Sequence, residues 1–166
     1  MKNEISTEPI QPLELSKKTK IISLSKEYET DIITLFHAAG DFSYRSQWQD
    51  GVKKVEELNH FLPRIGVRCR CVMENGQVVI YASSYSYHPE RIEFSETDEV
   101  SKNLTYYLLE KTGENKTKLT IDFYLHKNIV NETIFKLARK KKLENSLQKS
   151  LINLQELVKT LDFRMN

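Results

Sequence analysis

The stretch GVRCRCVMENGQVVIYASSYSYH, residues 66–88, decides the fold. On both sides of Asn75-Gly76, apolar or small residues alternate with polar and charged ones, the pattern of two half-buried strands. Asn-Gly tolerates the positive φ of a tight hairpin turn, so the segment reads as a β-hairpin. A two-residue turn there pairs Glu74 with Gln77, and then Met73 with Val78, Cys71 with Ile80, Cys69 with Ala82 and Val67 with Ser84. That set is the apolar side of both strands and is read as the inner face, with Arg68, Arg70, Tyr81 and Ser83 on the other.

The same period of two extends outward from this hairpin. Val52 to Leu58, Gly66 to Glu74, Gln77 to Tyr87, Arg91 to Glu96, Asn103 to Lys111 and Lys116 to His126 read as six strands joined by short turns, and Lys17 to Ser25 as an earlier first strand. A turn at His88-Pro89-Glu90 pairs Ser86 with Ile92 and Ser84 with Phe94. A turn at Gly113-Glu114 pairs Leu108 with Leu119, Tyr106 with Ile121 and Leu104 with Phe123. Between the first two strands the period becomes helical. Ile32, Leu35, Phe36 and Ala39 mark a helix over 27–39 that stops at Gly40, and Asp41 caps a second short helix ending at Trp48. Residues 130–161 form one long helical pattern, with Leu143, Leu147, Leu151, Leu154, Val158 and Leu161 in a single apolar stripe. Hairpin-linked strands make an antiparallel sheet, and a lone amphipathic helix must bury its stripe against it. The expected class is α+β, a seven-stranded antiparallel sheet with two short helices after the first strand and a long C-terminal helix.

At 166 residues the chain fits one domain, expected over 17–166 after an irregular lead-in at 1–16 that carries Pro9 and Pro12. Hydrophobic residues make up 39% of the chain, tyrosines included, a lean supply beside the usual ~45–50% apolar share. No apolar run approaches the ~18 residues of a membrane span and no export signal opens the chain, so a soluble, cytoplasmic protein is expected.

The formal net charge of +2 is too balanced for a whole-surface nucleic-acid binder. The basic residues nevertheless concentrate toward the end, where Lys136, Arg139, Lys140, Lys141 and Lys142 form a dense cluster. It reads either as a solvated helix surface or as a contact for acidic lipid, RNA or a protein partner. Cys69 and Cys71, the only two cysteines, share one strand face and read as small apolar fillers. No metal site and no cofactor motif is expected: paired CxxC, H-E-x-x-H, P-loop and dinucleotide signatures are all missing.

The element order, with Trp48, Gly51, Val52 and Val55 in a loose W-x-x-G-V-x-x-V passage and the later Gly66, resembles the START-related helix-grip superfamily. That group includes the birch-pollen-allergen-like, polyketide cyclase/dehydrase-like and lipid-transfer proteins. The resemblance implies a curved seven-stranded sheet gripping the C-terminal helix, with a cavity between them that commonly holds an apolar small molecule. It implies no catalytic residue.

On the residues themselves, Cys69, Ala82, Ser84 and Ser86 place small side chains in the middle of the inner face. The room they leave is either filled by a large neighbour such as Trp48, Phe94, Tyr106 or Phe123, or is a pocket lined by all eight. The inner face of strands three to seven is read as free of titratable groups, leaving Asp41, Arg45, His37, Glu56 and Glu57 as the only candidates for acid–base work. The leading expectation is therefore binding of a small apolar molecule (a lipid, a quinone or an aromatic polyketide-like compound) without catalysis. A cyclase or hydratase using the same cavity, and an interaction module using the basic cluster, are the alternatives. A homodimer and a transient membrane contact are left open.

Overall fold

The computed structural model describes residues 15, 17–59, 64–127 and 129–161; the expected lead-in, residue 15 apart, and His60 lie outside them. The first strand, β1, runs Lys18–Tyr28, past the expected end at Ser25. It continues because Asp31 fixes where the next helix, α1 (Ile32–Gly40), begins. One Asp31 carboxylate oxygen accepts from the backbone N–H groups of Ile33 at 3.0 Å and Thr34 at 2.9 Å, and the other accepts from the Thr34 hydroxyl at 2.7 Å. These are the orphan donors of a helix start. Asp41 repeats the device for a short 3-10 turn, Phe42–Tyr44, which runs into the one-turn helix α2, Arg45–Trp48.

Gly51, at φ +83°, turns the chain from α2 into β2, Val52–Glu57, through a conformation that a side chain would strain. Strands β3 (Arg68–Met73), β4 (Gly76–His88), β5 (Arg91–Asp98), β6 (Leu104–Gly113) and β7 (Lys116–His126) follow. All neighbours are antiparallel, in the order β1-β7-β6-β5-β4-β3-β2. The expected α+β class and seven-stranded sheet are therefore what the chain forms.

The C-terminal helix differs from the single element expected. It is two helices, α3 (Ile129–Ala138) and α4 (Lys140–Thr160), meeting at Arg139 with φ −122°. Neither Pro nor Gly causes the break. Each helix answers to its own packing: Phe135 of α3 stacks on Phe123 of β7 at 5.7 Å, while α4 buries Leu151, Leu154, Leu157 and Val158. That α4 stripe meets Leu35, Ala38 and Ala39 of α1 and Ile92, Phe94, Tyr107, Leu109, Leu119 and Ile121 of the sheet in one core. Polar ties lock it there. The Tyr28 hydroxyl donates to the Leu151 carbonyl at 2.8 Å, and Ser150 Oγ accepts from the Asp50 N–H at 2.8 Å.

The register corrects three expected pairings. At the first hairpin Met73 opposes Gly76 and Cys71 opposes Val78, with Glu74-Asn75 as the turn. This slip of two residues changes partners and keeps faces. At the second hairpin Tyr85 opposes Phe94 and Ser84 opposes Ser95, a slip of one, and a bulge between Ala82 and Ser84 restores the expected face below it. Ala82 thus remains inside, whereas Ser84 and Ser86 lie on the outer face beside Ser95 and Glu93. At the last hairpin a bulge between Lys111 and Gly113 makes Tyr107 oppose Ile121, so Tyr107 points inward and Tyr106 outward.

The Asp31 cap carries a pH signature. Burial raises its carboxyl pKa, but the Thr34 and Ile33 donors outweigh this and hold it below the ordinary carboxylate value. A depressed folded pKa contributes stability above the unfolded value, ~3.9, that is lost as pH falls through the folded one. Asp31→Ala is expected to cost about 1 kcal/mol at neutral pH. Asp31→Asn keeps the cap and removes its titration, so its chemical-denaturation stability should fall less steeply than wild type on acidification below about pH 4. Parallel acid profiles for the two would contradict this.

Candidate functional site

The inner face of β5 carries Ile92, Phe94 and Glu96. Glu96 corrects the expectation that this face has no titratable group, and it is 3% exposed. Its partner is Arg45 of α2, 1% exposed, whose two terminal nitrogens engage both Glu96 oxygens, one at 2.8 Å. Arg45 Nη1 also donates to the Tyr107 hydroxyl at 3.2 Å and to the Gln49 side-chain oxygen at 3.2 Å. Its guanidinium lies over the rings of Phe42 and Trp48, at 5.3 Å and 5.0 Å from their centroids. Burial acts to lower the Arg45 pKa, but the Glu96 charge and the hydrogen bonds more than offset it, so Arg45 is held above its ordinary value and stays charged. Burial raises the Tyr107 phenol well above its usual range, with the Glu96 charge acting in the same sense, so the hydroxyl remains protonated.

The small side chains at the centre of the inner face acquire a reason here. Ala82 directly opposes Glu96, and a larger residue would compete with the ion pair for space. The room inferred from small residues is thus taken in part by a guanidinium. Cys69 and Cys71, both buried, pack with Phe42 and Val52 nearby. The neighbouring Cys71 thiol, together with burial, holds the free Cys69 thiol above its ordinary pKa. A second arginine, Arg64, stands over Phe94 at 4.7 Å and Phe36 at 5.2 Å and donates to the Gly40 carbonyl at 2.8 Å. The bare Cα of Gly40 allows this approach, since a Cβ there would lie 3.2 Å from Arg64 Nη2.

Beside the ion pair remains a cavity of about 220 Å³. Its apolar wall is Ile80, Phe123 and Leu143, and its polar wall is Arg45, Gln49, Glu96, Asp98, Asn103, Thr105 and Tyr107. A second cavity of about 490 Å³ shares Asn103 and opens beneath α3, lined also by Ser101, Leu125, His126, Ile134, Phe135 and Arg139. A wide groove of about 1240 Å³ lies between α4 and the β3–β4 hairpin, reaches Ala138 at the end of α3, and carries Lys141, Lys142 and Lys149.

Of the eight expected lining residues, only Phe123 borders the inner cavity. Trp48 and Phe94 are buried in the main core, with Phe94 stacked on Tyr107 at 4.4 Å, and Cys69 and Ala82 are buried in the sheet. Ser84, Ser86 and Tyr106 are on the outer face, where Ser83, Ser84, Ser95 and Thr97 link their hydroxyls. Among the five acid–base candidates Arg45 alone reaches the cavity; Asp41 caps the 3-10 turn, Glu56 pairs with Arg70 at 2.8 Å, and His37 is exposed. The missed residue was readable: Glu96 continues the inward parity of Ile92 and Phe94. No three His, Cys, Asp or Glu side chains cluster as a metal site among the described residues, and no described helix is long and apolar enough to cross a membrane.

No protein-family model and no curated protein matches this chain. Solved structures do. A START superfamily protein from Mycobacterium smegmatis matches with a TM-score of 0.60 at 20% identity over 87% of this chain and 100% of that one. A hypothetical protein from Helicobacter pylori matches with a TM-score of 0.66 at 11% identity, over 83% and 88% of the two chains. A protein from Arthrobacter aurescens matches with a TM-score of 0.60 at 13% identity over 98% of both. At these identities the likeness is one of fold, shared with that START superfamily protein.

Removing one half of the ion pair should be worse than removing both. Arg45→Met or Glu96→Leu alone leaves a buried, uncompensated charge and is expected to cost ~3–5 kcal/mol in urea unfolding, whereas the double variant should recover most of that loss. Additive losses would show that the two residues act independently.

Proposed function

We propose that this chain binds a small, mainly apolar molecule between the sheet and α4, without transforming it. The observation that carries the reading is the inner cavity itself, with an apolar wall facing a polar one in the grip of sheet and helix. Ligand sites of this kind are mostly apolar with a few fixed polar groups, and typically span ~300–1,000 Å³. The inner cavity alone falls below that range, and together with its neighbour across Asn103 it falls within it. A ring system of quinone or aromatic polyketide size suits the inner space, and the outer space suits a chain or substituent attached to it.

Two features favour holding over chemistry. Arg45 and Glu96 neutralise one another through a two-point contact, so neither offers a free acid or base. The carboxylates of Asp41 and Glu56 are engaged elsewhere. The other polar groups on the wall are the neutral Gln49, Asn103, Thr105 and Tyr107 side chains and the carboxylate of Asp98, one oxygen of which accepts from the Val100 and Ser101 N–H groups of the β5–β6 turn.

The test uses N-phenyl-1-naphthylamine, a neutral apolar fluorophore, and a naphthoquinone as competitor. Saturable binding near one probe per chain, displaced by the quinone, is expected. Thr105→Trp, which fills the inner cavity, should weaken it by about tenfold or more while the melting temperature holds. Binding that survives Thr105→Trp unchanged places the probe elsewhere and removes this reading.

A further inference from the structure

One end of the molecule combines exposed apolar tips with unpaired cations, and it is independent of whether the cavity is filled. With Phe135 anchored on Phe123, helical spacing turns Ile134 and Leu137 together toward another side of α3, where they are 54% and 84% exposed. Val100, at the tip of the β5–β6 turn, is 90% exposed. That turn is firm: one Asp98 carboxylate oxygen accepts from the Val100 N–H at 2.8 Å and from the Ser101 N–H at 3.0 Å. Ser101 and Asn103 of the turn line the same cavity as Ile134 and Arg139, so the apolar tips occupy one end of the fold.

The charge on α3 and the start of α4 is mainly positive, while the acidic Glu99 beside Val100 is paired with Arg68 at 2.7 Å. Lys136 pairs with Glu132 at 2.8 Å, but Arg139, Lys140, Lys141 and Lys142 have no carboxylate partner among the described residues. Lys140, Lys141 and Lys142 also open α4, where the positive end of the helix dipole opposes them. Four cations that repel each other and the helix beneath them are relieved by an external anionic surface. Apolar tips standing proud of such cations match a bilayer, which offers phosphate charge at the headgroups and acyl chains just below.

We infer that the end formed by α3 and the β5–β6 turn docks reversibly on anionic membranes, with Val100, Ile134 and Leu137 entering the headgroup layer and Arg139 to Lys142 meeting lipid phosphates. This goes beyond the ligand reading. The outer cavity opens at that same end, so docking would set its mouth against the lipid.

Co-flotation with vesicles of phosphatidylcholine, with or without about 30% phosphatidylglycerol, tests it. The full-length chain should float with the anionic vesicles at low salt, stay behind with the neutral ones, and release at about 0.5 M NaCl. Leu137→Asp combined with Val100→Asp, and separately Lys140→Glu combined with Lys141→Glu, should each lower partitioning by about tenfold. Melting temperature and N-phenyl-1-naphthylamine binding should hold in all of these variants, which separates this test from that of the ligand reading. No flotation with anionic vesicles at low salt overturns the inference. So does flotation that Leu137→Asp with Val100→Asp leaves intact, since the contact would then be charge alone, as would equal loss of binding to an RNA homopolymer in the lysine variant without any flotation.

Discussion

A guanidinium and a carboxylate that are almost wholly removed from water set the terms for everything around them. Burying such ions costs several kcal/mol each unless they face one another with their hydrogen bonds satisfied. Arg45 and Glu96 meet most of that demand through two contacts, and the neighbourhood adds to it, leaving Arg45 Nε without a partner among the described residues. Tyr107 supplies a hydroxyl, Gln49 an amide oxygen, the end of α1 the Ala39 carbonyl at 3.4 Å, and Phe42 and Trp48 their ring faces. A helix of one turn has almost no stability of its own. Here α2 is held by its charge to the centre of the sheet, and the chain entering β2 is thereby fixed in place.

The same constraint relocates the shortage of apolar residues in the composition. A close-packed interior normally places bulk at the middle of a sheet. Ala82 stands there instead because its strand partner is Glu96. The polar content of the inner face is therefore concentrated at one point and surrounded by apolar side chains. Tyr28, Trp48, Phe94 and Leu154 show that the rest of the interior is filled conventionally.

Element order and class were legible because each rests on a long-range pattern: alternation in six segments, and a stripe over five turns of α4. Register was not, and particular residues show why. In β6 the doublets Tyr106-Tyr107 and Leu108-Leu109 put apolar groups on both faces, so alternation cannot say which one points inward. In β4 the run Ser83 to Tyr87 alternates equally well either way, and the extra residue of the bulge reverses parity without any mark in the composition. The start of α1 shows the opposite case. Asp31 was a visible cap, but the helix expected from Ile32, Leu35, Phe36 and Ala39 reached past it to residue 27, into what is strand as far as Tyr28. At the site, Glu96 was readable from parity alone, whereas nothing about a four-residue helix announces that Arg45 points inward.

The doubly bonded ion pair also bears on what the neighbouring cavity can accept. A fixed charge pair cannot collapse into the space beside it, and the walls of Asn103, Thr105 and Gln49 are polar enough to hold water when nothing else is there. An occupant must displace that water and replace its hydrogen bonds, which favours a molecule with a few neutral polar atoms over a pure hydrocarbon. A charged occupant fares worse at this spot. To bind Glu96 or Arg45 it must compete with a two-point internal contact already in place, and success would strand the other ion. On the ligand reading proposed above, the pair would therefore favour neutral, partly polar molecules over charged ones.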